Sequence, residues 1–215
     1  MKNIKIMFSP KIFNVFKWAF LVLVGLFVIL VIIRFFNYFD VKKTQNQVLK
    51  IHSTKLSMND VIGKNLPIET DIISSKTTTG IDLNNNGIRD DVEIAIFKEY
   101  PNSEKARAVL LQYALALQME TIQPFVNEKI ATEIITEEGR ADTCLSDALV
   151  PRKSPDLSRE YVDIEKINGY INFIEEKQLN TGLRKEAHKN FYSYLRSYGE
   201  STNIVCDIDL SKLPN

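Results

Sequence analysis

Residues 18–33 read WAFLVLVGLFVILVII, sixteen positions without a charge. Apolar character resumes after Arg34 with Phe35, Phe36, Tyr38 and Phe39. If the Arg34 guanidinium snorkels along its aliphatic stem, residues 18–39 reach the roughly 20 positions that a helix needs to cross a bilayer. A cleaved signal peptide would have a shorter apolar core and small residues at its cleavage site. Here the run is longer, and RFFNYFDVKK follows it, bulky and charged. No Cys stands close behind it for lipid attachment. The expectation is an uncleaved transmembrane anchor over 18–39, with Phe35, Phe36, Tyr38 and Phe39 as an interfacial belt.

Charge bears on orientation and on partners. Lys2, Lys5, Lys11 and Lys17 precede the run without an acid, while Arg34, Lys42, Lys43 and Lys50 follow it, a small positive-inside bias. All 27 acidic residues lie from Asp40 onward against 22 of the 27 basic ones, so this part carries a net charge of −5. An acidic domain argues against a nucleic-acid partner. The two cysteines, Cys144 and Cys206, form no C-x-x-C motif, and with only His52 and His188 beside them a zinc site is not expected. Two outcomes stay open for them. Outside the cytoplasm they can form a disulfide contributing roughly 4 kcal/mol; inside it they remain two thiols.

Residues 40–79 are polar, lack sustained periodicity and contain Gly63 and Pro67, which reads as a linker with room for one short ordered piece. From Asp91 the pattern becomes helical. Val92, Ile94, Ile96 and Phe97 start a short helix that Pro101 ends. Asn102 or Ser103 caps a longer one with Ala106, Val109, Leu110, Tyr113 and Leu117 on one face and Leu111, Leu115 and Met119 on the other, as suits a central helix. Pro124 breaks it, and Phe125, Ile130 and Ile134 mark a continuation to about Gly139. Residues 139–156 read as loop. Leu157, Tyr161, Ile164, Ile167, Ile171 and Ile174 then make one stripe, capped by Asp156 or Ser158. Leu183, Ala187, Phe191, Leu195 and Tyr198 make another, capped by Thr181 and stopped by Gly199. The expected architecture is all-α: a single transmembrane helix, a tether, then a bundle of four or five helices over 91–215.

The chemistry concentrates in residues 80–93, GIDLNNNGIRDDVE. The run fits D-x-[DN]-x-[DN]-G-x₅-E, with Asp82, Asn84 and Asn86 at places one, three and five, Gly87 at six and Glu93 at twelve. Alternate residues of a tightly curled loop point inward, so their oxygens converge. Glycine permits the reversal, the Ile88 carbonyl adds a backbone oxygen, Asp90 binds directly or through water, and Glu93 closes the shell with two oxygens. An all-oxygen set suits calcium rather than zinc or copper. The competing reading is an Asn-rich turn capped by Asp90 or Asp91, without metal.

DLNNNGIRDDVE resembles the calcium loops of the EF-hand superfamily, above all the single loops of bacterial extracytoplasmic proteins and dockerin-like modules. The resemblance implies Asp82, Asn84, Asn86, Ile88 (carbonyl), Asp90 and Glu93 as ligands of one calcium ion. Asp91 matches no ligand place and reads as an acid favoured at a helix N-terminus. No amphipathic helix enters the loop and no second loop occurs. Arg89 at the eighth place, where paired loops carry an apolar residue, suits a solitary loop. Three carboxylates and two neutral Asn make a weak site, of the order of 10⁻⁴–10⁻³ M, useful only where calcium is abundant. That places the C-terminal domain outside, with 1–17 in the cytoplasm and the anchor in the inner membrane.

Catalytic motifs such as G-x-S-x-G, G-x-x-x-x-G-K-[ST] and H-E-x-x-H are absent. His188 reads as a helix-surface residue. Glu137-Glu138 and Glu175-Glu176 are adjacent pairs that point to different sides of a helix, and Phe191, Leu195 and Tyr198 read as core. The expectation is a membrane-anchored, calcium-braced binding or structural module for a protein or envelope partner. An envelope enzyme of hydrolase type and a calcium sensor are the alternatives.

Overall fold

The computed structural model describes residues 10–68, 77–154, 156–198 and 204–214. The chain divides into two units, Met1–Asn46 and Gln47–Asn215. Among the described residues there are seven α-helices and no strand.

Helix α1 (Pro10–Ser53) supplies the described part of the first unit. Its stretch Asn14–Ser53 holds an 18-residue window of mean hydropathy 3.0 in which no residue is buried. By length and composition it can cross a membrane. Trp18, Phe20, Phe27, Leu30 and Phe35 are all exposed. A helix apolar on every side has nothing to gain from water, and is at its most stable in hydrocarbon. Beyond the apolar run Phe35 and Phe39 meet edge to face at 4.7 Å.

Residues 40–53, read above as part of a linker, continue α1, and the region beyond them is not a free tether. Nothing between Asp40 and Ser53 breaks a helix, and Ile51 is 2% exposed in the core of the second unit. Leu56 and Val61 are buried too, the latter in the short helix α2 (Met58–Val61), where the Ser57 N–H and hydroxyl both donate to Asp60. A few well-spaced apolar residues suffice to dock such a segment, and so few leave no periodicity to read. Residues 69–76 of the expected linker lie outside the described residues.

The second unit is built around α4 (Glu104–Ile122), in which every residue from Ala106 to Glu120 is buried. Helices α2, α3 (Asp90–Glu99), α5 (Glu128–Leu149), α6 (Tyr161–Gln178) and α7 (Gly182–Tyr192) all pack on it. Val109, Leu110, Leu111 and Leu117 meet Ile88, Val92 and Ile96 from the α3 side, Ile130, Ile134 and Leu145 of α5, Ile174 of α6 and Phe191 of α7 in one core. Ser103, Asn127 and Thr181 cap α4, α5 and α7 by accepting from Ala106, Ile130 and Arg184 N–H groups, which removes orphan donors worth about 1 kcal/mol each.

Three local expectations change. Helix α5 runs through Gly139 to Leu149, so Cys144 is helical and not in a loop. A helical glycine costs about 1 kcal/mol, and Ala141, Cys144 and Leu145 extend the buried stripe beyond it. Helix α6 starts after Glu160, and Leu157, Tyr161 and Ile164 are exposed, so its stripe is buried only from Ile167 on. Helix α7 ends at Tyr192, so helical spacing does not reach Tyr198, which is 92% exposed. Gly199 lies outside the described residues.

Sγ of Cys144 is bonded to Sγ of Cys206 across 62 residues. A loop of that length contributes about 4 kcal/mol by restricting the unfolded chain. The buried amide of Gln112 braces the same tail, donating to Val205 O at 2.7 Å and accepting from Asp207 N at 2.9 Å.

Candidate metal centre

The loop is held from three sides. Its approach is fixed through backbone oxygens: Arg184 donates to Thr77 O and Thr78 O, and Gln118 to Thr79 O. Gly80 has φ +71°, and a Cβ there would lie 2.4 Å from Cδ of Arg89. Gly87 has φ +89°, and a Cβ there would lie 2.8 Å from Cδ1 of Leu115 on α4. Both positions therefore require glycine for conformation and for space. Asn85, at φ 56°, takes the left-handed turn between them.

Inside the loop the side chains turn toward one another. Asp82 accepts from the N–H groups of Asn86 (3.1 Å) and Gly87 (2.9 Å). Asn84 Oδ1 accepts from Asn86 N at 3.3 Å, and Asn86 Oδ1 from Ile88 N at 2.9 Å. Asp90 accepts from Leu83 N at 3.0 Å, while its own N–H donates to Ile81 O at 2.9 Å. The Glu93 carboxylate is 1% exposed and accepts from the amides of Asn86 (2.6 Å) and Asn84 (3.1 Å). Burial pushes this carboxyl up to about 8, the two amides pull it back, and Asp90 and Asp82 add to the rise.

Asn84, Asn86 and Glu93 are thus in direct contact, with Asp82 and Asp90 close enough to act on Glu93 electrostatically. Ile88 anchors the turn with a fully buried side chain. Among the described residues no three His, Cys, Asp or Glu side chains gather as a metal-holding group. The carboxylates of Asp82 and Asp90 are engaged by backbone N–H groups, and it is amide nitrogens that meet Glu93. A half-turn of both amides would turn their oxygens toward Glu93, at the cost of the bonds those oxygens accept from Asn86 N and Ile88 N.

Sequence reasoning missed what holds the loop to the rest of the unit. Arg89 is 1% exposed. Its guanidinium donates to Gln178 O at 2.8 Å and Lys177 O at 3.1 Å, and pairs with both oxygens of Asp91 at 2.8 and 2.5 Å. A cation at the end of α6 satisfies carbonyls that lack intrahelical partners and meets the negative end of the helix dipole. Asp91 is therefore the partner of Arg89 as well as an acid in the first turn of α3. No local signal marks the carbonyl contacts, because they belong to a helix far along the chain.

Two further charge clusters were not legible. His52 has its ring nitrogens 2.7 Å from Glu137 and 2.9 Å from Glu133. Lys55 and Arg140 also bind Glu137, and Arg140 reaches Asp207 beside the disulfide at 2.8 Å. Burial alone would raise Glu137, but hydrogen bonds from Lys55 and His52 and the charges of Lys55 and Arg140 outweigh it and hold the group below the usual carboxylate range. His188, expected on the helix surface, instead lies 2.6 Å from the buried Glu120. The adjacent Glu137 and Glu138 point to different partners, as expected.

A cleft of about 270 Å³ adjoins the loop, lined by Ile51, Asp82, Gly87, Leu115, Met119 and Gln123, with Lys50 at its rim. Its charged groups are one lysine and one loop carboxylate, and they do not form an acid–base couple. Comparison with protein-family models, with curated proteins and with solved structures returns no match.

Proposed function

We propose that the chain is a single-pass membrane protein whose helical unit lies outside the cytoplasm, is braced by one calcium ion in residues 80–93, and serves as a binding or structural module for a protein or envelope component. The observation that carries this reading is Glu93, a carboxylate buried among Asn84, Asn86, Asp82 and Asp90 and, among the described residues, with no cationic side chain as its partner. A buried anion satisfied only by neutral amides is costly, and a divalent cation would relieve that cost. Asp82, Asn84, Asn86, the Ile88 carbonyl, Asp90 and Glu93 would hold it. The bond between Cys144 and Cys206 supports an oxidising compartment for the same unit. The last ligand stands on α3 while the approach segment is tied to α4 and α7, so the ion would join the loop to the core without a catalytic part.

The test is the melting of the full chain in detergent micelles, in 5 mM calcium and in chelator. For a site of the order of 10⁻⁴–10⁻³ M, calcium stabilises by about 1–2 kcal/mol, a rise of roughly 2–6 °C for a domain of this size. Asp82→Ala and Glu93→Gln abolish the rise. Superimposable curves for the unaltered protein would refute the calcium reading.

A further inference from the structure

Glu120, near the end of α4, is 2% exposed, and its Oε1 has no hydrogen-bond donor. Its Oε2 lies 2.6 Å from Nδ1 of His188 on α7. The half-buried carboxyl of Glu138 on α5 interacts with Glu120 and accepts from the Tyr192 hydroxyl of α7 at 3.4 Å. Two interacting carboxyl groups, one of them taken out of water, do not both ionise. One proton resolves the conflict: carried by Glu138, it becomes the donor that Glu120 Oε1 lacks, and the His188 imidazolium balances the charge left on Glu120.

We propose that Glu120, Glu138 and His188 form a proton-dependent latch, in which one proton between α4 and α5, together with the charged imidazole, holds α7 against the core, and loss of the proton loosens α7.

The surroundings leave the proton without a substitute. Among the described residues, the groups that act most on the cluster besides its own members are Tyr113 of α4, Glu175 of α6 and Tyr192 of α7. All are acids. Burial pushes Glu138 up to about 8, and Glu120 adds to the rise. Burial also raises Glu120, against the hydrogen bond from His188, and that bond raises His188. Each group binds its proton more tightly folded than unfolded, so each contributes stability at low pH that is lost as pH rises through its folded pKa. For Glu138 the window runs from the ordinary 4.5 to about 8. Helix α7 also carries the buried Phe191 and, one turn before His188, Arg184, which grips Thr77 and Thr78. Loosening α7 therefore exposes core and releases the segment that leads into residues 80–93.

The test uses the full chain in detergent micelles with chelator present, melted from pH 5 to 9. The unaltered protein loses melting temperature between pH 6 and 8. Glu138→Gln keeps an amide donor for Glu120 without a titrating proton and shows at most half that loss, while Glu176→Gln, altered at an exposed acid of α6, follows the unaltered protein. Infrared spectra of Glu93→Gln, which removes the other carboxyl raised to about 8, show a neutral carboxylic-acid carbonyl band at neutral pH that disappears above about pH 8. The latch is overturned if Glu138→Gln falls in parallel with the unaltered protein. It is equally overturned if no such band titrates, a result read on a protein whose latch residues are all intact whether or not Glu138→Gln folds.

Discussion

The guanidinium of Arg89 donates to the backbone oxygen of Gln178 at 2.8 Å, so the eighth place of the loop is fastened to the last residue of α6. The loop, the start of α3 and the end of α6 thereby move as one body, because a buried fork of N–H donors is shared among them.

Arg89→Met should cost the second unit about 3 kcal/mol, because it strands Asp91 and the Lys177 and Gln178 carbonyls without their donor. Arg89→Lys should recover only a minor part, since an ammonium cannot reproduce the fork. Urea denaturation of the full chain in micelles, followed by circular dichroism, measures both. A loss under about 1 kcal/mol for the Met variant would refute the fastening role.

Two glycines should respond in opposite directions to the same change. Gly87→Ala places a Cβ at φ +89° and 2.8 Å from Leu115, and should destabilise by more than about 1 kcal/mol. Gly139→Ala lies inside α5 with nothing within 4 Å, and should stabilise by up to about 1 kcal/mol. Thermal melts of the two variants beside the unaltered protein decide the signs.

Acid should weaken the unit through Glu137. Its carboxyl is held below the usual range, so its contribution is present above the unfolded value of 4.5 and is lost as pH falls through the lower folded value. Glu137→Gln should lower stability at pH 7 and flatten the fall between pH 5 and 3. Melting temperatures over that range test it, and an acid limb as steep as in the unaltered protein would exclude Glu137 as a main contributor.

Local chemistry was the legible part of this fold. Ser103 and Thr181 announced helix starts, Pro101 announced a stop, and a helix apolar on both faces announced the central α4. Residues 40–53 and the second half of α5 were misread because Ile51 and the run after Gly139 carry too little periodicity to be seen without the partners that bury them. In residues 80–93 the spacing pointed to Asp82, Asn84, Asn86, Ile88, Asp90 and Glu93, of which Asn84, Asn86 and Glu93 meet directly, while the part played by Arg89 had no local sign.

The sequence by itself determined the apolar run of α1, the central helix α4 with its capped start, and the alternation of oxygens around Gly87, since each follows from the period of a helix or the reach of a short loop. Only the tertiary structure decided where the buried charges found partners. Arg89 meets Gln178 at a separation of 89 residues, His52 meets Glu137 at 85, and His188 meets Glu120 at 68. Such pairs are set by which helix faces pack together, and an ion taken out of water must be satisfied by whatever group that packing brings to it.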